Sequence, residues 1–287
     1  MSGLIKGSEN QPIAQQTKLG WILSGPVQSP LQCSVEINNI EDISAYWEVG
    51  EIAIASIAMT REEQFCEELY VKITRRLPDG RYEVRLPLKN SFENELGQSK
   101  AWAAAQFKQL ESRLMRNPHL RDSYQKFMHE YADLGHMIEC KERKEHMCYL
   151  PHHGVYREES TTTKLCAVFN ASSPTSKGKS LNDLMECGPK LQKDIQDLLL
   201  RWRIYQYIYT ADCEKMYRCI LLQEDQQHLQ KILWRDNLVD MDRLKEYQLC
   251  TITYGMKAVP FLAMRTMQEL ACDDKEKYPL AAEVLQC

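Results

Sequence analysis

The segment "IYTADCEKMYRCILL", Ile208 to Leu222, ends an apolar, aromatic-rich run in one carboxylate, Asp212, and places Tyr217 five residues further on. A carboxylate at the end of a buried strand is costly unless a cation meets it, and a divalent ion is one common solution. Magnesium takes oxygen ligands and keeps substrate phosphates in its shell, so Asp212 could be half of a nucleotide-polymerising site. Taken alone the segment favours a plainer reading, a surface Asp capping the helix or turn that follows. A second group, His146, Cys148, His152 and His153 in "EHMCYLPHHGV", carries soft zinc-type ligands, but without the two regularly spaced halves that structural zinc sites use. No Cys sits in a recognisable context with a His base, and no GxxxxGK[ST] phosphate loop is present.

These residues need elements to hold them. In "ELYVKITRRLPDGRYEVRLPLK", Tyr82, Val84 and Leu86 alternate with charged residues, and Pro78 to Gly80 supplies a turn, so the pattern predicts a β-hairpin. Ala103, Phe107, Leu110 and Leu114 recur at helical spacing until Asn117-Pro118 stops them, and Tyr124, Phe127, Tyr131 and Leu134 mark a second amphipathic helix ending near Gly135. Further on, "TKLCAVFNAS", "YQYIYTAD" and "HLQKILWR" read as strands, and "LQKDIQDLLLRWRI" and "VPFLAMRTMQEL" as helices. "TKLGWILSGP" reads as an early strand followed by a turn. The order suggests an α+β fold, not a wound parallel sheet.

Composition narrows the classes. The chain has 287 residues, 44% hydrophobic and 26% charged, with a net charge of −4, so no global basic character argues for nucleic acid. Lys and Arg do recur at short intervals through "ECKERKEH", "TTTK", "SKGKS" and "LLLRWR", where a local groove could be basic. No apolar run is long enough to cross a bilayer, the start lacks a secretory pattern, and eleven scattered cysteines without CxxC pairs fit reduced thiols. An intracellular protein, cytoplasmic and without a membrane partner, is expected.

In order, "YLPHHGVYREESTTTKLCAVFNASSPTSKGKSLNDLMECGPKLQKDI", "YTADCEKMYRCILLQEDQQHLQKILWR" and "YQLCTITYGMKAVPFLAMRTMQELA" resemble the reverse transcriptase of BEL/Pao-type LTR retrotransposons over well more than a hundred residues. "TKLGWILSGP" is similar to the last strand of that element's aspartic protease, and the stretches from "YWEVGEI" to "YADLGHM" are similar to the segment joining protease to polymerase. The resemblance implies a remnant of the protease C-terminus over 1–30, a connecting segment over 31–145, and reverse-transcriptase fingers with an incomplete palm over 146–287. It implies an RNA-directed DNA polymerase of two-metal chemistry, with primer-template and dNTP as partners, the rest of the Pol polyprotein beside it, and a virus-like particle as the parent element's setting.

Residue by residue, Asp212 matches the first catalytic Asp and a ligand to Mg²⁺. Tyr217 matches the aromatic residue beneath the sugar, where a packed ring leaves no room for a 2′-hydroxyl. Tyr254 and Gly255 match the loop that shapes the nucleotide pocket, and Lys164 matches a fingers residue near the triphosphate.

The chain also departs from the family. Cys166 stands where relatives carry an Arg that grips phosphate bidentately, and Asn170 where they carry an Asp, which predicts weaker nucleotide binding. The second carboxylate motif, Tyr-x-Asp-Asp, is absent, and so is the Asp-Thr/Ser-Gly of aspartic proteases. Asp273-Asp274 follows a helical pattern and reads as a solvated helix end. The expectation is a Pol fragment that is inactive as a polymerase. A non-catalytic nucleic-acid-binding module or a shortened gene model of an active enzyme are the alternatives. An uncovered apolar face and an unpaired sheet edge predict poor solubility.

Overall fold

The computed structural model describes residues 3–6, 13–17, 20–24, 59–140, 144–156, 165–238 and 243–286. Two compact units are present, Met1–Ala58 and Met59–Cys287. Within the first, β1 (Leu4–Lys6), β2 (Ile13–Thr17) and β3 (Gly20–Ser24) form an antiparallel meander. The strand expected in "TKLGWILSGP" is β3, and the turn expected after it lies outside the described residues.

The second unit mixes helices with small sheets, the α+β character expected. Helix α1 (Arg61–Ile73) starts at a reciprocal cap: the Thr60 Oγ1 accepts from Glu63 N at 3.2 Å, and Glu63 Oε2 accepts from Thr60 N at 2.8 Å. That cap commits "ELYVKI" to helix, so the hairpin predicted there begins only at β4 (Arg75–Arg76) and returns as β5 (Tyr82–Val84). Gly80, at φ +89°, makes the expected turn. A short helix α2 (Phe92–Glu95) precedes the two helices read from periodicity, α3 (Lys100–Arg116) and α4 (Pro118–Asp133). One dipeptide ends the first and starts the second: Asn117 Oδ1 accepts from Leu120 N, and Pro118 occupies the first turn, where its missing N–H is not needed.

Strand β6 (Met137–Glu139) follows, then the antiparallel pair β7 (His152–Tyr156) and β8 (Leu165–Phe169). Helix α5 (Ile195–Trp202) buries none of its residues. Beyond it the predicted strand "YQYIYTAD" does not form: residues 203–214 are irregular and exposed, and among the described residues no strand lies alongside to complete a ladder. A lone strand has no source of stability in water. Strand β9 (Leu221–Leu222) pairs parallel with β5, and β10 (Lys231–Trp234) and β11 (Lys245–Leu249) join β6 in the order β10-β11-β6. Helix α6 (Val259–Asp273) matches its prediction, and α7 (Pro279–Gln286) follows.

One hydrophobic cluster runs through this unit from Cys66 to Ala263. Its centre is aromatic. The rings of Tyr124 and Trp234 stack at 5.3 Å, and Phe107 meets Trp234 edge-on at 6.0 Å, so helices read as connecting segment share a core with strands read as fingers. His152 lies inside that core, accepting from the Tyr124 hydroxyl at Nδ1 (2.6 Å) and donating from Nε2 to the Leu233 carbonyl (2.9 Å). Among the described residues Cys66, Cys148, Cys166, Cys187, Cys213, Cys219 and Cys250 are free thiols. Among the described residues no helix is long and apolar enough to cross a membrane.

Candidate functional site

Tyr217 is placed by the short 3-10 turn Met216–Cys219 that follows Lys215. Lys215 adopts a left-handed φ of +53°, uncommon for a side chain with a Cβ, and its ammonium is anchored 2.9 Å from Glu130 on α4. The Lys215 hydrogen bond holds the Glu130 carboxyl below the usual carboxylate range. Next to Tyr217, the Arg218 guanidinium lies over the rings of Phe127 at 4.9 Å and Tyr131 at 4.7 Å, with its side chain 11% exposed. The turn is therefore held to α4 by the ion pairs of Lys215 and Arg218 with Glu130 and by the half-buried Arg218 guanidinium on two α4 rings, and it presents Tyr217 half-buried against the core.

Tyr254 comes from the turn between β11 and α6. Its ring packs on that of Tyr217 at 4.7 Å between centroids and 60° between planes. Burial raises the Tyr254 phenol, Arg218 opposes the shift, and Cys166, Tyr217 and Asp212 add to it, so all four lie within electrostatic reach of one hydroxyl. Gly255 follows at φ +92°, and a Cβ there would stand 2.2 Å from the Phe169 carbonyl oxygen at the end of β8. Three segments distant in sequence thus converge, the end of β8, the Tyr217 turn and the Tyr254-Gly255 turn, with the Asp212 charge within electrostatic reach of Tyr254.

Of the residues singled out from the sequence, Tyr217, Tyr254 and Gly255 are brought together, and the Asp212 charge reaches Tyr254 electrostatically. Asp212 is solvent-exposed at the end of an irregular stretch, not at the end of the buried strand expected for it. Lys164 lies outside the described residues.

Among the described residues no group of three or more His, Cys, Asp or Glu side chains is placed to hold a metal ion. This includes the group weighed for zinc, whose His152 is engaged within the core by Tyr124 and Leu233. Asp212 offers Mg²⁺ one carboxylate, which does not amount to a two-metal site. Asp273 and Asp274 end α6 at the surface as expected, the first exposed and the second half-buried, and both have partners there: Asp274 takes a bidentate contact from Arg76 at 2.9 Å to each oxygen, and Asp273 accepts from the Tyr82 hydroxyl at 2.5 Å.

Sequence reasoning missed two residues of the site. Arg218 is adjacent to Tyr217 and could have been found as one of the two cations, with Lys215, inside that motif. Asn182, in "SLNDLMECGP", donates from Nδ2 to the Gly255 carbonyl and to Ser172 Oγ, each at 2.8 Å, and accepts from Lys257 N at 2.9 Å.

Beyond the end of β8 a groove opens between α3 and β7, with Trp102, Arg113, His153, Asn170 and Ser172 on its walls. Among the described residues no carboxylate lines it. Ser172 also borders the cleft at Gly255 and Lys257, so groove and turn adjoin.

No protein-family model matches this chain, and no curated protein is significantly similar to it.

Proposed function

We propose that the second unit carries the nucleotide-binding part of a reverse-transcriptase-type site, from a BEL/Pao-like Pol polyprotein, with fingers and a partial palm. The observation that carries this reading is the contact of Tyr217 with Tyr254 beside Asp212 and Gly255. Residues matched to the family's motifs from positions far apart in sequence meet at one place. In this reading Tyr217 forms the floor under the deoxyribose and excludes a 2′-hydroxyl by filling its space. Gly255 lets the backbone of the turn close on β8, and Asp212 supplies one oxygen ligand to a Mg²⁺ ion whose remaining ligands come from nucleotide phosphates and water.

A metal ion of this kind supplies charge neutralisation and activation of the attacking oxygen in polymerases. The described residues hold a single candidate ligand, so no transfer step is assigned to this chain, and the proposal is binding without turnover. A primer-extension assay on poly(rA)/oligo(dT) with Mg²⁺ and dTTP, run beside Asp212→Ala, tests this. No extension from a folded chain that binds dTTP is the expected result. Extension that the variant loses would overturn the binding-only reading and require a second carboxylate.

The groove with Trp102 and Arg113, lined by no carboxylate among the described residues, favours a second reading, a module that holds single-stranded RNA or DNA without chemistry. An exposed indole and, three turns further along the same helix, a guanidinium offer stacking and charge to a base and a phosphate along the groove. Binding of an RNA oligomer that survives Asp212→Ala and weakens as salt rises is expected from that reading.

A further inference from the structure

Asn182 sits on the 3-10 turn Asn182–Leu184, and its side chain joins three separate backbone or side-chain groups at once. The carboxamide donates to Gly255 O (2.8 Å) and Ser172 Oγ (2.8 Å) and accepts from Lys257 N (2.9 Å). Its orientation is fixed by the partners: rotating the amide would set its oxygen against the Gly255 carbonyl and its NH₂ against the Lys257 N–H. Its own backbone N–H donates to Ala171 O at 3.1 Å, so the residue is tied to the segment leaving β8 as firmly as to the turn. Lys257 reinforces the same arrangement by donating from Nζ to Met185 O at 3.3 Å.

Among the described residues the Tyr254-Gly255 turn has no strand partner. Its carbonyl at Gly255 and its N–H at Lys257 are both satisfied by Asn182. From this geometry we infer that Asn182 is the positioning residue that sets where Tyr254 meets Tyr217, and thereby how strictly the site excludes a ribose. The inference rests on the nucleotide-site reading and adds to it a residue that touches neither nucleotide nor metal. With the clamp released, the turn relaxes away from β8, Tyr254 no longer braces Tyr217, and the Tyr217 ring gains room to give way to a 2′-hydroxyl.

The test measures binding of dCTP and CTP, which differ only in that hydroxyl, to the full chain with Mg²⁺. The variants are Asn182→Asp, Asn182→Ala and, as a reference for lost selectivity, Tyr217→Ala. Asn182→Asp keeps the acceptor for Lys257 N and turns the Gly255 contact from attractive to repulsive. The expected result is a several-fold gain in CTP affinity with dCTP affinity within about twofold of the parent, a split that general loosening of the fold, which weakens both ligands, does not produce. Should the Asp variant fail to fold, Asn182→Ala, which introduces no charge, carries the same expectation. A parent protein that prefers dCTP, with both Asn182 variants retaining that preference, would overturn the inference and leave the site reading intact. A parent that binds neither nucleotide would overturn both.

Discussion

The ring of Tyr217 rests against the ring of Tyr254 at 4.7 Å and 60°, and each ring comes from a turn that is fixed elsewhere, one by Glu130 and one by Asn182. If Tyr217 excludes ribose by volume alone, its hydroxyl is dispensable. Tyr217→Phe should then keep the preference for dCTP over CTP, while Tyr217→Ala should abolish most of it. Titration of both nucleotides checks this, and a Phe variant as permissive as the Ala variant would assign selectivity to the hydroxyl instead of the ring.

Gly255 and Gly80 have nearly the same left-handed backbone, φ +92° and φ +89°, but different surroundings. A Cβ at Gly80 meets nothing within 4 Å, whereas at Gly255 it lies 2.2 Å from the carbonyl oxygen of Phe169, a backbone atom that cannot rotate aside. Gly80→Ala should therefore show only the conformational strain, on the order of 1 kcal/mol. Gly255→Ala should exceed it clearly and also weaken nucleotide binding. Urea unfolding of the two variants compares them directly, and equal losses would mean that the Gly255 turn moves freely off β8.

The differences between pattern and structure have physical causes that these positions illustrate. Helices α3 and α4 are legible because their apolar spacing and the Asn117-Pro118 junction are local signals. The strand predicted over "YQYIYTAD" does not form, because β-rich composition states only what a segment would do beside a partner, and none of the described residues supplies one. The first strand of the hairpin is shorter than its pattern because a two-sided cap at Thr60 and Glu63 outweighs the alternation that follows it. At the site, Asp212, Tyr217, Tyr254 and Gly255 are marked by motif resemblance. Asn182 escapes because its importance lies in a hydrogen bond spanning 73 residues, which no local pattern records.

His152 gives the fold a predictable response to acid. Burial lowers its pKa from the ordinary 6.5 to about 4, with the Leu233 hydrogen bond opposing that change and His153 adding to it. His136, partly desolvated and near Arg218 and Lys215, is lowered to about 4 as well. Between pH 6.5 and 4 the unfolded chain binds protons at these positions that the folded chain refuses, so stability falls as pH falls through that window. For His152 the full effect is on the order of 3 kcal/mol, because each tenfold loss of proton affinity is worth about 1.4 kcal/mol. His152→Gln can still accept from Tyr124 and donate to Leu233 but does not titrate. Its stability should vary less steeply across pH 4 to 6.5 in urea unfolding, and an unchanged slope would remove His152 from the acid response.

Helix α5 and the stretch after it expose Ile195, Leu200, Ile204, Tyr207 and Tyr209, the last at 91% of its surface. Scattered apolar residues on a surface are ordinary, but a run of this length on one continuous segment exceeds what soluble monomers usually present. The segment is also β-prone, with Tyr and Ile concentrated in a stretch that joins no sheet among the described residues, the composition that favours pairing between chains. Concentration-dependent association of the parent protein is the expected outcome in light scattering. Leu200→Lys combined with Ile204→Lys changes two exposed positions, so folding stability should move by no more than about 0.5 kcal/mol per site, while association falls. Association that persists undiminished in the double variant would place the adhesive surface elsewhere on the chain.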